Sequence, residues 1–212
     1  MNLIKYEESI HPDCGKIVED FKDITITPFY KEEFCDELVN LAKFYDNKFI
    51  EYITYNNYKE TKAGESPWNT LFFSTISNLL FENFCRHYKN YLLPVLEKKF
   101  EASTIDGWFS PFIIKYDKPN QNVDLHNDHS HFTMNVKLNT DFKGCDLEFP
   151  RQGWSNKDLP KGWCIVWPST ITHPHLAKPL ISGTKYTLAS WTHPSSWNSN
   201  DLGGSFFSKD LK

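Results

Sequence analysis

Two short stretches hold the residues best suited to chemistry, Leu125-His126-Asn127-Asp128 and Thr172-His173-Pro174-His175. A His-x-Asp pair sets an imidazole and a carboxylate two positions apart, and in an extended segment both point to the same side. A third donor must come from elsewhere, and the His-Pro-His turn offers two candidates, His173 and His175. Two histidines and one carboxylate on one face of a metal, with other positions open, suit non-haem Fe(II). Zinc accepts the same residue types, and spacing alone does not choose between the two metals. Five of the eight histidines fall in this part of the chain (His126, His129, His131, His173 and His175). A buried histidine is as readily a hydrogen-bonded core residue as a ligand, so the pair by itself leaves both roles open.

Such a site needs a rigid frame, and the periodicity changes along the chain to supply one. Phe34, Leu38, Leu41, Ala42 and Tyr45 recur at helical spacing, with Glu32 and Glu33 at the dipole-favoured start, which predicts a helix over about 30–45. Ile76, Leu80, Phe84, Tyr88 and Tyr91 predict a second helical region over 74–100, kinked or restarted at Pro94. Ile24-Thr25-Ile26-Thr27 reads as a short strand ended by Pro28, after a loosely held polar segment, 1–23. The polar stretch 47–70 reads as a long connector or as a flap facing substrate. Beyond residue 106 short strand patterns dominate, at 108–117, 132–138, 145–149, 163–167 and 186–191. Helices followed by many short strands predict an α+β chain with a jelly-roll core. Its expected layout is one domain over 1–212: a helical part to about 105, the jelly roll over about 106–194, and a polar tail, 195–212.

Composition narrows the function. With 212 residues the chain can bury a substantial core. A net charge of −4 and a pI near 6.1 give no electrostatic reason to expect nucleic acid as a partner. Met1-Asn2-Leu3-Ile4 leads straight into charged residues without a signal peptide, and no apolar run approaches the ~20 residues that span a bilayer. Five cysteines without a Cys-x-x-Cys pair fit a reducing compartment, no disulfide framework and no zinc knuckle. A cytoplasmic location is therefore expected. Oligomeric state is not legible.

Several ordered motifs carry a family resemblance. Phe112-Ile113-Ile114-Lys115-Tyr116, the run from His126 to Asn139, Asp141-Phe142-Lys143-Gly144-Cys145-Asp146-Leu147-Glu148-Phe149, Lys161-Gly162-Trp163, Thr172-His173-Pro174-His175 and Gly183-Thr184-Lys185-Tyr186 together resemble the catalytic core of the procollagen lysyl hydroxylases and the related prolyl 4-hydroxylases. These are Fe(II)- and 2-oxoglutarate-dependent dioxygenases built on a double-stranded β-helix. One departure is Gly144-Cys145, where the family usually has Gly-Gly.

The resemblance implies Fe(II) held by His126, Asp128 and His175, with 2-oxoglutarate as co-substrate, O2 as oxidant, and ascorbate as a candidate auxiliary reductant. In the family the distal histidine precedes the co-substrate's basic residue by about ten positions. Lys185 follows His175 by ten positions and His173 by twelve, which selects His175. His173 is left a supporting or packing role. Lys185 is then the cation for the far carboxylate of 2-oxoglutarate, with Tyr116, Asn135 and Thr187 as polar neighbours and Trp191 as a wall. Lys137 and Lys178 read as solvent-facing charges. The retained Asp128 argues for oxygen insertion, because halogenases of this class lose the carboxylate. The expected reaction is hydroxylation of a Lys or Pro side chain in a peptide or protein, with release of succinate and CO2. Two alternatives stand beside it: an oxygenase acting on a free amino acid or other small molecule, and a non-catalytic, cupin-like binding module. The loops 47–70, 117–124 and 150–161 are the expected selectors of substrate.

Overall fold

A computed structural model describes residues 6–51, 69–101, 107–109, 111–193 and 206–208. The first half of the chain contributes α1 (Tyr6–Ser9), β1 (Glu19–Phe21), β2 (Ile24–Pro28), α2 (Glu32–Phe44), β3 (Ile50–Glu51), β4 (Asn69–Phe72), α3 (Phe73–Ile76), α4 (Asn78–His87) and α5 (Leu93–Phe100). The second half is β-rich: β5 (Gly107–Phe109), β6 (Phe112–Tyr116), β7 (Val123–His126), β8 (Phe132–Lys137), β9 (Phe142–Gly144), β10 (Leu147–Phe149) and β11 (Trp154–Ser155). It closes with β12 (Trp163–Pro168), β13 (His175–Ala177), β14 (Leu180–Gly183), β15 (Lys185–His193) and β16 (Phe206–Ser208).

Two antiparallel sheets face one another. The larger runs β1-β2-β12-β8-β15-β6-β4-β3, with β5 and β16 attached to β15, and the smaller runs β11-β10-β13-β7. A two-stranded ribbon, β14-β9, joins them at one end. This is the expected jelly roll on an α+β chain. Every residue of β8 is buried, because both faces of the large sheet are covered. On its outer face Ile113, Met134, Val136, Val166 and Leu188 pack against Phe34, Leu38, Leu80, Phe84 and Leu96 of the helices. On its inner face Ile24, Ile26, Ile165 and Trp167 meet Leu147, Phe149 and Leu159. The helical half is therefore a brace that holds the large sheet flat against its partner.

The helices follow their sequence signals closely. Glu32 and Glu33 occupy the first turn of α2, and its apolar stripe is buried. Ser77 caps α4 by accepting from the Leu80 amide. Between α4 and α5 the chain widens into a π turn over Tyr88–Leu92. Pro94, at the start of α5, lacks the N–H that would reach back four residues, and its ring crowds the Asn90 carbonyl, which explains the widening.

Two expectations need correction. The segment before residue 24 is not loosely held in its described part: Ile10 and Cys14 are buried in the main core, and β1 forms a hairpin with β2. Within the polar tail β16 pairs with β5. Lys137 does not face solvent; it is 5% exposed and lies between the sheets. Of the 47–70 stretch, 52–68 lie outside the described residues, and its ends form the β3–β4 pair. No helix among the described residues is long and apolar enough to cross a membrane.

Candidate active site

The small sheet brings the three predicted metal donors together. His126 ends β7, His175 begins β13, and the two are direct cross-strand partners, with ring centroids 4.4 Å apart. Asp128 follows His126 by two residues, so its carboxylate returns to the same side. His126 Nε2 lies 3.4 Å from Asp128 Oδ1, and His175 Nε2 lies 3.5 Å from Asp128 Oδ2. One donor atom from each residue falls within 4.8 Å of the others.

Backbone carbonyls fix both imidazoles. His126 Nδ1–H donates to the Asp124 carbonyl at 2.7 Å, and His175 Nδ1–H donates to the His173 carbonyl at 3.0 Å. A carbonyl can only accept, so in each ring the free lone pair belongs to Nε2, the atom aimed at Asp128. Histidines prepared in this way are typical of metal ligands. Asp128 is tied down too: Thr133 Oγ1 donates to its Oδ2 at 2.6 Å, and Ser169 Oγ donates to Thr133 Oγ1 at 2.7 Å. Burial alone would raise the Asp128 carboxyl. Hydrogen bonding from His126 and the charge of His175, when those rings also carry a proton on Nε2 in the metal-free protein, together with the Thr133 hydroxyl, hold it below the usual carboxylate range instead. Two neutral imidazoles and one carboxylate, converging with their lone pairs inward, fit a divalent cation, and the donor set fits Fe(II) with 2-oxoglutarate.

His173 is not the third donor. Its Nε2–H donates to the Lys22 carbonyl at 2.9 Å, Thr172 Oγ1 donates to its Nδ1 at 2.8 Å, and its own carbonyl orients His175. Both ring nitrogens are thus committed, and the supporting role expected from its position is what the ring performs. Phe149 and Trp167 pack against the His175 ring at centroid distances of 5.4 and 5.0 Å.

A cleft leads from the triad along the inner face of the large sheet. Register explains its lining. Lys185 stands opposite Tyr116, Thr187 opposite Ile114, Ala189 opposite Phe112 and Asn135, and Trp191 opposite Thr133. Alternation puts these side chains on one face, and all of them line the cleft together with His126, Asp128 and His175. Trp191 walls it, edge-on to Phe112 at 5.2 Å. Lys185 ends the row, 4% exposed. Its Nζ donates to the Cys145 carbonyl at 2.5 Å and lies 5.3 Å from the Tyr116 ring centroid. Burial pulls the Lys185 ammonium below the usual lysine range, and burial pushes the Tyr116 phenol well up. Asn135 Oδ1 accepts from Thr187 Oγ1 at 2.8 Å, so these two brace each other across the strands.

The carbonyl that meets Lys185 depends on a tight turn. Gly144 has φ +76°, and a Cβ there would stand 2.4 Å from the Pro179 carbonyl oxygen. Cys145, where relatives usually carry a second glycine, also has a left-handed φ, +57°. Sequence reading named neither this carbonyl nor Thr133, Ser169 and Asp124. The alternation of Thr133 with Asn135 was the available signal for Thr133. The backbone partners left none.

Comparison with known proteins gives the arrangement its context. Procollagen-lysine,2-oxoglutarate 5-dioxygenase 1 of Rattus norvegicus is 28% identical over 194 residues, covering 85% of this chain and 25% of the relative. Procollagen-lysine,2-oxoglutarate 5-dioxygenase 2 of Homo sapiens is 28% identical over 204 residues, covering 89% and 27%. The chain is related to the 2-oxoglutarate- and Fe(II)-dependent lysyl and prolyl hydroxylases. It spans about a quarter of the length of these curated relatives. No family model matches it. Solved structures share its fold at lower identity. A prolyl hydroxylase from Trichoplax adhaerens, in complex with a hypoxia inducible factor peptide fragment, aligns with a TM-score of 0.65 at 14% identity, covering 81% of this chain and 84% of that one. The 2-oxoglutarate complex of the viral collagen prolyl hydroxylase from Paramecium Bursaria Chlorella virus-1 aligns at 0.58 and 17%, covering 82% and 97%.

Proposed function

We propose that this chain is an Fe(II)- and 2-oxoglutarate-dependent dioxygenase that hydroxylates a Lys or Pro side chain in a peptide or protein. The co-substrate would leave as succinate and CO2, one oxygen atom of O2 entering succinate and the other the product. One observation carries the reading: a three-donor metal site and a buried lysine stand at opposite ends of a single cleft. The names of the relatives, which act on procollagen lysine or collagen proline, support the choice of side chain.

His126, Asp128 and His175 would hold the metal, which when bound supplies the oxygen-activating redox chemistry. The chain's own residues position and exclude. The Asp124 and His173 carbonyls keep the Nδ1 proton of each imidazole on the far side of the ring, leaving Nε2 for the cation. Thr133 holds Asp128 ionised and aimed. Lys185 would pair with the far carboxylate of 2-oxoglutarate and thereby set the 2-oxo acid end towards the triad. Its ammonium is a compact charge, well matched to a carboxylate in a buried pocket although it lacks a bidentate fork. Tyr116 lies beside that ammonium, while Asn135 and Thr187 line the path between the two ends. Phe112 and Trp191 give the cleft an apolar wall that limits access of water to the reacting centre.

The test is direct. Protein loaded anaerobically with Fe(II), then given 2-oxoglutarate and O2, should release succinate even without its prime substrate. Failure both to bind Fe(II) and to form succinate would overturn the proposal. Peptides containing Lys or Pro, run beside the free amino acids, then name the substrate: faster turnover of the free amino acids would replace the peptide reading by a small-molecule one.

A further inference from the structure

Lys185 is not the only buried ammonium at its end of the cleft. On β8 alternation carries Thr133, Asn135 and Lys137 to one face, and the first two line the cleft. Thr133 is at the triad, bonded to Asp128, so Lys137, four residues further on, is at the far end. Its cross-strand partner is Thr187, and Lys185 is the next residue of β15 on the same face. Lys137 and Lys185 are therefore diagonal neighbours on one sheet surface, a relation that places backbone positions about 7–8 Å apart.

Neither lysine has a carboxylate within 4.0 Å among the described residues, although Lys99, Lys161 and Lys178 of the same chain do. Lys137 Nζ donates to the Asn156 and Lys157 carbonyls at 2.9 and 2.8 Å. An ammonium has three donors, and carbonyls satisfy its N–H groups without cancelling its charge. Desolvation, and after it the charge of Lys185, pull the Lys137 ammonium below the usual lysine range; Asp146 and Asp158 act against this from farther away. Two like charges at neighbouring buried positions are costly unless an anion joins them.

We propose that Lys137 is a second cation for the co-substrate's far carboxylate, acting through space from its anchorage on the 156–157 turn, so that the pair of lysines selects a dicarboxylic over a monocarboxylic 2-oxo acid. This rests on the reading that the cleft takes 2-oxoglutarate. Lys185 would touch the carboxylate, whereas Lys137 is a positioning charge behind it. The turn that anchors Lys137 also supports the cleft, since Asn156 Oδ1 accepts from the Leu147 amide at 2.8 Å and Leu147 is a lining residue.

The experiment measures binding, not turnover. Mn(II)-loaded protein under nitrogen is titrated by calorimetry with 2-oxoglutarate and with 2-oxobutanoate, which keeps the 2-oxo acid group and lacks the far carboxylate. Lys137→Met should weaken 2-oxoglutarate roughly tenfold and leave 2-oxobutanoate unchanged, while Lys137→Arg keeps the wild-type preference. Unchanged or tighter 2-oxoglutarate binding by Lys137→Met overturns the proposal. So does equal weakening of both acids, which would make Lys137 only a strut for the turn. If the Met variant fails to fold, Lys137→Gln, whose amide keeps two N–H donors for the two carbonyls, removes the charge alone and is read in the same way. A wild-type protein that binds neither acid refutes the co-substrate reading itself, a result distinct from wild-type discrimination that survives the loss of Lys137.

Discussion

At the triad end of the cleft a carboxylate faces two imidazoles and accepts from the Thr133 hydroxyl; at the other end two ammonium groups donate to carbonyls, with aromatic rings beside Lys185. The first end is negative and pre-formed by short links, each from strand to neighbouring strand or to an adjoining loop. The second is positive and kept that way against the cost of desolvation. A buried ion usually has its partner in the fold. Among the described residues each end lacks its natural counter-charge, a cation at one and an anion at the other, which is the pattern expected of a site whose partners arrive from outside. The small sheet supplies the metal end and the large sheet supplies the lysines, so closing one sheet on the other sets the distance between the two charges.

The metal end should be the more fragile. Asp128→Ala removes one of three donors from a rigid frame, and we expect Fe(II) affinity to fall more than about a hundredfold and succinate formation to drop below detection, with the far-ultraviolet circular dichroism unchanged. Metal binding at wild-type strength in this variant would show that Asp128 is not a metal donor. His175→Ala should behave alike. His173→Ala should cost only about ten- to a hundredfold in metal affinity, since it loosens the carbonyl behind His175 and removes no donor. The reverse order, measured by metal titration, would exchange the two histidines.

At the lysine end a single change should move binding and stability in opposite directions. Lys185→Met should weaken 2-oxoglutarate by roughly a hundredfold, because the far carboxylate would then be buried without a partner. The same variant without co-substrate should melt about 2–4 °C higher at neutral pH, because an uncompensated buried charge has been replaced by an apolar chain of similar length. The sign follows from the direction of the shift. The folded-state value for Lys185 lies below 10.5, so protonation costs stability at every pH below it, and that cost fades as the pH rises towards 10.5. The gap in melting temperature between wild type and variant should therefore narrow in alkaline buffer. A variant that melts lower at neutral pH would show that the Cys145 carbonyl compensates Lys185 fully.

The same contrast explains which parts were legible in the sequence. His126 and Asp128 are two residues apart on an extended segment, so a local rule is enough to align them. His175 was reached through its spacing to Lys185, which the family resemblance supplied. The helices over 32–44 and 78–100 follow from apolar spacing, and an interruption near Pro94 follows from its ring and missing N–H, although its form, a π turn, does not. Lys137 was misplaced because alternation alone does not reveal that both faces of β8 are covered, one by helices and the other by the second sheet. A charged residue on a strand reads as exposed until the opposite layer is known. The carbonyls of Asp124, His173 and Cys145 escaped notice for a more basic reason: every residue has one, and only the path of the chain makes any of them special.

The smallest expected effect probes how far the triad's order depends on groups that never touch the metal. Thr133→Val keeps the shape of the side chain and removes the hydroxyl, leaving Asp128 Oδ2 without its 2.6 Å donor and Ser169 Oγ without the Thr133 acceptor. Asp128 would still face both histidines across the site, so it should remain a ligand. Its carboxyl should titrate higher, though, because one of the groups that lower it is gone. We expect about a tenfold loss of Fe(II) affinity at neutral pH, growing as the pH falls, since protonation competes with the metal for the same oxygen atoms. Metal titrations at two pH values check this. A loss that is the same at both would mean that Thr133 fixes the direction of Asp128 and contributes nothing to its charge. No loss at either would mean that the strand pairing alone holds the triad, which would make the metal end still more rigid than the lysine end.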